Sequence, residues 1–191
     1  MTETPTPRSQ AKADRRQALL NAAASLFAER GYTRVSLEDL GAAAGVSGPA
    51  VYRHFDGKQA VLAAMLVDAS TDLWNGANEV IESAPTPRAA LDSLVEFHVE
   101  FALGNANVIR VQDRDLDSLT ADDQHTVRAL QRSYVELWVE TLAQLHPDAA
   151  TSELRTRAHA TFGLINSTPH SGRAGATRAV LERMALAALD A

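Results

Sequence analysis

An all-α fold is what the sequence predicts, on three observations. Apolar residues recur at spacings of three and four through most of the chain, no stretch alternates apolar and polar residues with a period of two, and breaks bearing glycine or proline cut the periodic runs into helix-sized pieces. At 191 residues, 46% hydrophobic and 22% charged, the chain has the size for one or two cores and the composition of a folded protein.

Residues 1–8 hold three Thr and two Pro without apolar periodicity and read as a flexible arm. From Ser9 to Arg30 the apolar positions Leu19, Leu20, Ala23, Ala24 and Phe27 share one helical face, and Gly31 is placed to end that helix in the left-handed conformation. Ser36 with Asp39 approximates a capping box that opens a short helix through Leu37, Leu40 and Ala43, closed by Gly45. Ser47 can cap a third short helix carrying Val51, Tyr52 and Phe55, with Pro49 tolerated in the first turn, where N–H groups lack intrahelical partners. Asp56, with Gln59 three residues on, is the next N-cap candidate, for a longer helix through Val61, Leu62, Met65, Leu66, Ala69, Leu73 and Trp74.

Thr86 then caps, with Pro87 at the first helical position, a helix marked by Leu91, Leu94, Val95, His98, Val99 and Ala102 that ends near Gly104 and Asn105. Residues 106–118 form a short helix or loop. The strongest pattern follows Thr120, where Val127, Leu130, Tyr134, Leu137, Trp138, Leu142 and Leu145 repeat until Pro147. Two more helices are expected at 150–168 and 173–190, parted by Pro169, His170, Ser171 and Gly172.

Function classes narrow before any motif is read. Without cysteine there are no disulfides, thiolate metal sites or cysteine nucleophiles. The first sixteen residues lack a signal peptide's apolar stretch, and no apolar run reaches the roughly 20 residues needed to span a bilayer, so a cytoplasmic protein is expected. No His-Glu-x-x-His set and no phosphate-cradling glycine loop occurs, which leaves no catalytic residues, no metal and no cofactor to nominate. Asn166-Ser167-Thr168 matches a glycosylation sequon, discounted in a chain without a secretion signal. The net charge of -6 is uneven: residues 1–60 carry eight Lys and Arg against six Asp and Glu, whereas residues 61–191 carry ten against eighteen. Acidity belongs to the second part, so it does not bar the first from nucleic acid.

Residues 35–55 place helix, glycine turn and helix in about twenty residues, the spacing of a helix-turn-helix. Leu37, Leu40, Ala44, Val46, Val51 and Phe55 supply a small core, which leaves Ser47, Gly48, Pro49, Tyr52, Arg53 and His54 for a major groove. Here the sequence resembles the TetR/AcrR family of transcriptional regulators, through Ala28-Glu29-Arg30-Gly31-Tyr32, Leu40-Gly41-Ala42-Ala43-Ala44-Gly45-Val46-Ser47 and Val51-Tyr52-Arg53-His54-Phe55 followed by Lys58.

The resemblance implies a DNA-binding domain over residues 9–57 and a helical ligand-binding and dimerisation domain over residues 58–191. It implies phosphate contacts for Tyr52, His54 and Lys58, a guanine or phosphate contact for Arg53, and close approach of Ser47, Gly48 and Pro49 to thymine methyls and backbone. Lys12, Arg15 and Arg16, with Arg8, form a basic arm, and Ser36 joins the DNA-facing set. A pocket is expected in the second domain. Phe97, His98, Phe101, Gln112, Tyr134 and Trp138 are its candidate lining, plain core packing being the alternative for each. For the last two helices the resemblance implies dimerisation through Phe162, Ile165, Val180, Leu181 and Met184, with the small Ala158, Gly163 and Ala188 allowing close approach.

The implied protein is a homodimeric repressor on a pseudo-palindromic operator, its recognition helices about 34 Å apart, released by a small-molecule effector. The rival readings are a small-molecule-binding helical protein or enzyme without operator recognition, and a helical scaffold or DNA binder without operator choice.

Overall fold

The computed structural model describes residues 6–168 and 174–191. Its helices are α1 (Pro7–Arg30), α2 (Leu37–Ala43), α3 (Gly48–Val51), α4 (Lys58–Ser83), α5 (Pro87–Gly104), α6 (Ala106–Asp115), α7 (Ala121–Leu145), α8 (Thr151–Ile165) and α9 (Ala174–Leu189). Short 3₁₀ turns occupy Tyr32–Arg34 and Leu116–Ser118, and no strand occurs among the described residues. Residues 106–118 are thus helix and turn. The break at Pro169 to Gly172 lies outside the described residues.

Local chemistry accounts for most boundaries. Thr6 Oγ1 accepts from Ser9 N, so α1 starts at Pro7, and Pro7 and Arg8 belong to the helix instead of the arm. Gly31, at φ 87°, occupies the region that favours glycine and donates its N–H to Phe27 O at 2.8 Å. The Ser36–Asp39 capping box is complete in both directions, at 3.1 and 2.9 Å. Thr86 and Thr120 each accept a backbone N–H three residues ahead.

Two expected caps are corrected. Ser47 holds the N-cap position of α3 without a side-chain hydrogen bond, and α4 is preceded by Gly57 rather than capped by Asp56. Gln59, the other half of that expected box, instead reaches Ser118 O at 2.8 Å. A tertiary partner for the amide has replaced the local one.

Two cores divide the interior. In the first, Leu19, Leu20, Ala23 and Phe27 of α1 meet Leu37, Leu40, Val51, Phe55 and the first half of α4, up to Leu66. Val111, Leu119 and Val127 enter that core from the far side of the chain. In the second, Leu91, Leu94, Val95 and Val99 pack with Tyr134, Trp138, Leu142, Leu154, Ile165, Leu181 and Leu189. Helix α4 therefore serves both cores. In the last third of α4, a Cβ on Gly76 would lie 2.3 Å from the Phe97 ring of α5.

Candidate DNA-binding head and effector cavity

In the head, α2 braces α3 through a turn at Gly45, φ 68°, where Val46 N donates to Gly41 O at 2.9 Å. A Cβ on Gly41 would lie 3.0 Å from Val46 O and 3.1 Å from Val51 Cγ2, a close approach that a larger residue meets only if the turn or the Val51 side chain gives by a few tenths of an ångström. Val51 and Phe55 point inward, while Ser47, Pro49, Tyr52 and Arg53 are exposed, Tyr52 to 56%, and Gly48 is half-buried. The chain past α3 continues as turns, with His54 N and Phe55 N both donating to Val51 O.

The first turns of α1 lie beside this segment. Ser9, Lys12, Ala13 and Arg16 of α1 form a shallow cleft with Arg53 and His54, which brings together four of the expected DNA-facing residues. Burial, followed by the positive charge of Lys12, Arg15 and Arg16, lowers the His54 pKa, and its buried Nδ1 has no hydrogen-bond partner among the described residues. Lys12 and Arg15 are exposed.

Three nominated residues are engaged within the protein. Arg16 binds the Asp68 carboxylate of α4 in two-pronged fashion, its closer contact at 2.5 Å, and its guanidinium lies 5.6 Å from the Phe55 ring centroid. Lys58 donates to Tyr32 O and Thr33 O at 2.8 and 3.3 Å, 4.5 Å from the centre of the Tyr32 ring. The Ser36 hydroxyl donates to Asp39 Oδ2.

Between α4, α5, α6, α7 and α8 lies a cavity of about 210 Å³. Of the six nominated residues, His98, Phe101, Gln112 and Tyr134 line it, whereas Phe97 and Trp138 do not. Phe97 fills the groove over Gly76, and Trp138 is fully buried against His98, Tyr134 and Phe162. Sequence reasoning missed Ser70, Gln131, His159 and Asn166 in the lining, and it put Phe162 in an interface when its ring stacks on His98 at 5.0 Å inside the cavity wall. Tyr134 Oη donates to His98 Nδ1 at 2.9 Å, and His98 Nε2 donates to Asn166 Oδ1 at 3.2 Å. Burial pushes the His98 pKa down to about 4, so the ring is neutral near pH 7.

On the outer side of α8 and α9, Val180 and Met184 are exposed, 41% and 49%, but Ile165 and Leu181 are buried in their own protomer. Of the small residues, Gly163 is exposed and Ala158 is buried. The outward face combines Thr156, Ala160 and Gly163 of α8 with Ala179, Val180 and Met184 of α9. Ile165 and Leu181 are therefore core residues, as is Ala158.

One residue that no motif pointed to joins the two regions. Arg114, at the end of α6, donates to Phe27 O and, at 3.5 Å, to Ala28 O near the C-terminus of α1, where helix carbonyls favour a cation. Its guanidinium is held in turn by the adjacent Asp115 carboxylate at 2.7 Å.

These features match known proteins at both ends of the chain. The model for bacterial regulatory proteins of the tetR family matches residues 19–65, and that for the tetracyclin repressor-like C-terminal domain matches residues 84–170. The HTH-type transcriptional repressor KstR2 of Rhodococcus jostii (strain RHA1) is 31% identical over 143 residues, 74% of this chain and 70% of that protein. The chain belongs to the TetR family. As such it is a ligand-responsive DNA-binding transcriptional regulator of all-α fold. A TetR-family regulator from Bordetella parapertussis 12822 superposes on this one with a TM-score of 0.82 at 27% identity, over 92% of this chain and 94% of that one. The ketosteroid transcriptional regulator KstR2 of Mycobacterium tuberculosis, 20% identical, shares the fold at a TM-score of 0.78, over 92% and 93% of the two chains. Among the described residues of this TetR-family chain, no helix is long and apolar enough to cross a membrane.

Proposed function

We propose that this regulator is a cytoplasmic repressor, without catalytic activity of its own, that grips a pseudo-palindromic operator as a homodimer and lets go when an effector fills the cavity. Ser47, Gly48, Pro49, Tyr52 and Arg53 meet the major groove, with Arg53 reading a base edge and Tyr52 a phosphate. Lys12, Arg15 and His54 add backbone contacts at the cleft beside α1. The open N-terminus of α4, which has no side-chain cap, offers N–H groups to a further phosphate. Ser36, Arg16 and Lys58 support the head from within in the free protein, and Lys58 reaches DNA only by leaving the Tyr32 carbonyl. The dimer forms through the outward faces of α8 and α9 around Val180 and Met184, and sets the two heads about one helical turn of DNA apart.

The observation that carries this reading is the double use of α6. Val108, Ile109 and Gln112 form part of the cavity wall, and two residues past Gln112, Arg114 holds the end of α1 in the head. An effector that displaces α6 also displaces α1. It releases DNA to the extent that it prefers the displaced state over the DNA-bound one.

Selection of bound sequences from random duplex DNA tests the proposal. A palindromic motif recovered by the wild type and lost by Tyr52→Ala and Arg53→Ala supports it. The absence of any enriched motif with folded protein at low salt overturns it in favour of a ligand-binding protein without operator recognition. An Arg114→Ala variant that still binds effector and operator, but no longer loses one on binding the other, would assign the coupling to α6.

A further inference from the structure

The chemistry of the cavity wall carries the reading of an effector site one step further. Among the described residues, no Asp, Glu, Lys or Arg lines it. Its polar groups are the hydroxyls of Ser70 and Tyr134, the amides of Gln112, Gln131 and Asn166, and the imidazoles of the buried His98 and the exposed His159. The remainder is apolar, with Phe101 and Phe162 among the larger side chains.

The ring of His98 cannot serve as a cation. Both its nitrogens are engaged, Nδ1 accepting from Tyr134 and Nε2 donating to Asn166, and burial opposes a further proton. Ser70 donates its hydroxyl to Leu66 O at 2.8 Å, so only its oxygen lone pairs face outward from that bond. The Gln112 and Gln131 amides make no hydrogen bond to another described residue and offer both donors and acceptors to a guest.

A carboxylate or phosphate held against His98 and Tyr134 would give up hydration and meet no lysine or arginine among the described residues of the wall, a larger penalty than a carbonyl or hydroxyl incurs against the same amides. An ammonium group likewise meets no aspartate or glutamate among those residues. An adjoining cleft that shares Ala69, Phe101 and Val108 with the cavity holds the carboxylates of Asp68 and Asp72. Asp68 is already bound by Arg16.

On the reading of this cavity as the effector site, we infer that the effector is an uncharged, compact and largely apolar molecule of about a dozen non-hydrogen atoms, whose carbonyl accepts from the glutamine amides or whose hydroxyl donates to the Tyr134 oxygen. Volume limits size and the amides set polarity. A long acyl chain or a phosphorylated carrier lies outside this class.

Calorimetric titration of the full chain with three probes on one skeleton tests the inference: 4-phenylcyclohexanone, 4-phenylcyclohexanecarboxylate and 4-phenylcyclohexylamine, with 4-phenylcyclohexanol as a second neutral probe. The expected result is binding of a neutral probe at least about tenfold tighter than of either charged one. Equal or tighter binding of the carboxylate or the ammonium overturns the inference, and so does failure of both neutral probes to bind at their solubility limit. Gln112→Leu should weaken either neutral probe by about three- to tenfold, the worth of one hydrogen bond, and Tyr134→Phe should weaken the alcohol by as much while sparing the ketone. Gln131→Arg, on a half-buried edge of the wall, should raise the carboxylate relative to the ketone. Circular dichroism and melting of each variant guard against loss of fold, and operator binding without probe is measured separately. A regulator that binds its operator but prefers charged probes refutes only this inference, whereas one without operator binding refutes the proposed function.

Discussion

The head and the cavity use polar side chains in opposite ways. In the head, charge faces outward: Lys12, Arg15 and Arg53 stand in solvent, where a phosphate backbone can replace water around them at little cost. In the cavity, polarity faces inward and is carried by hydroxyls, amides and imidazoles, with no Asp, Glu, Lys or Arg among the described lining residues, because a charge without a partner there would be expensive. The contrast separates two kinds of recognition. A surface reads a large polyanion by field and shape, and an enclosed site reads a small guest by volume and hydrogen-bond pattern.

The sharpest way to break this contrast is to remove the wall behind the cavity. Trp138→Ala should destabilise the fold by about 3–5 kcal/mol, since the indole is fully buried, and denaturant unfolding measures it. Acid acts on the same region with a comparable effect. The unfolded chain binds a proton at His98 near the ordinary histidine value of 6.5, while the folded chain resists it down to about 4. Stability is therefore full above pH 6.5 and falls as pH drops toward 4, by about 3 kcal/mol in total. A His98→Gln variant should show a flatter pH dependence of its unfolding midpoint over that window.

On the head the expectation reverses, with function affected and the fold spared. Tyr52→Ala and Arg53→Ala should each weaken operator binding by about 1–3 kcal/mol while shifting stability by no more than about 0.5 kcal/mol, as compared by fluorescence anisotropy and thermal melting. The smallest effect is expected at Lys12. Lys12→Ala should weaken specific and non-specific DNA alike and reduce the slope of log affinity against log salt by about one per head.

The sequence made the head legible because its determinants are local. Ser36 and Asp39 are three residues apart, Gly45 closes the turn between adjacent helices, and the Leu40, Val51 and Phe55 positions follow helical spacing. What stayed hidden there depends on distant partners. Nothing near Arg16 in the sequence announces Asp68, and nothing near Lys58 announces the carbonyls of Tyr32 and Thr33.

The second half reverses that balance. Helical phase placed His98 and Tyr134 on inner faces, but Phe97 lies 100° around the helix from His98 and packs over Gly76 instead. Helix α9 carries apolar residues on opposite sides, so Val180 and Met184 on one and Leu181 and Leu189 on the other are equal candidates for an interface until the neighbours of α9 are known. Asn166, Gln131 and Ser70 reach the cavity from three different helices or their ends, and no periodicity in one helix encodes their convergence.

The chain has two tryptophans, and they sit in unlike solvents. Trp74 is partly open to water on α4, whereas Trp138 is sealed among aromatic rings at the back of the cavity. Their emission should differ in colour, red-shifted for the first and blue-shifted for the second. A guest entering the cavity would disturb the blue component selectively, so the protein carries its own optical gauge of occupancy and can be screened against unlabelled compounds without any DNA present.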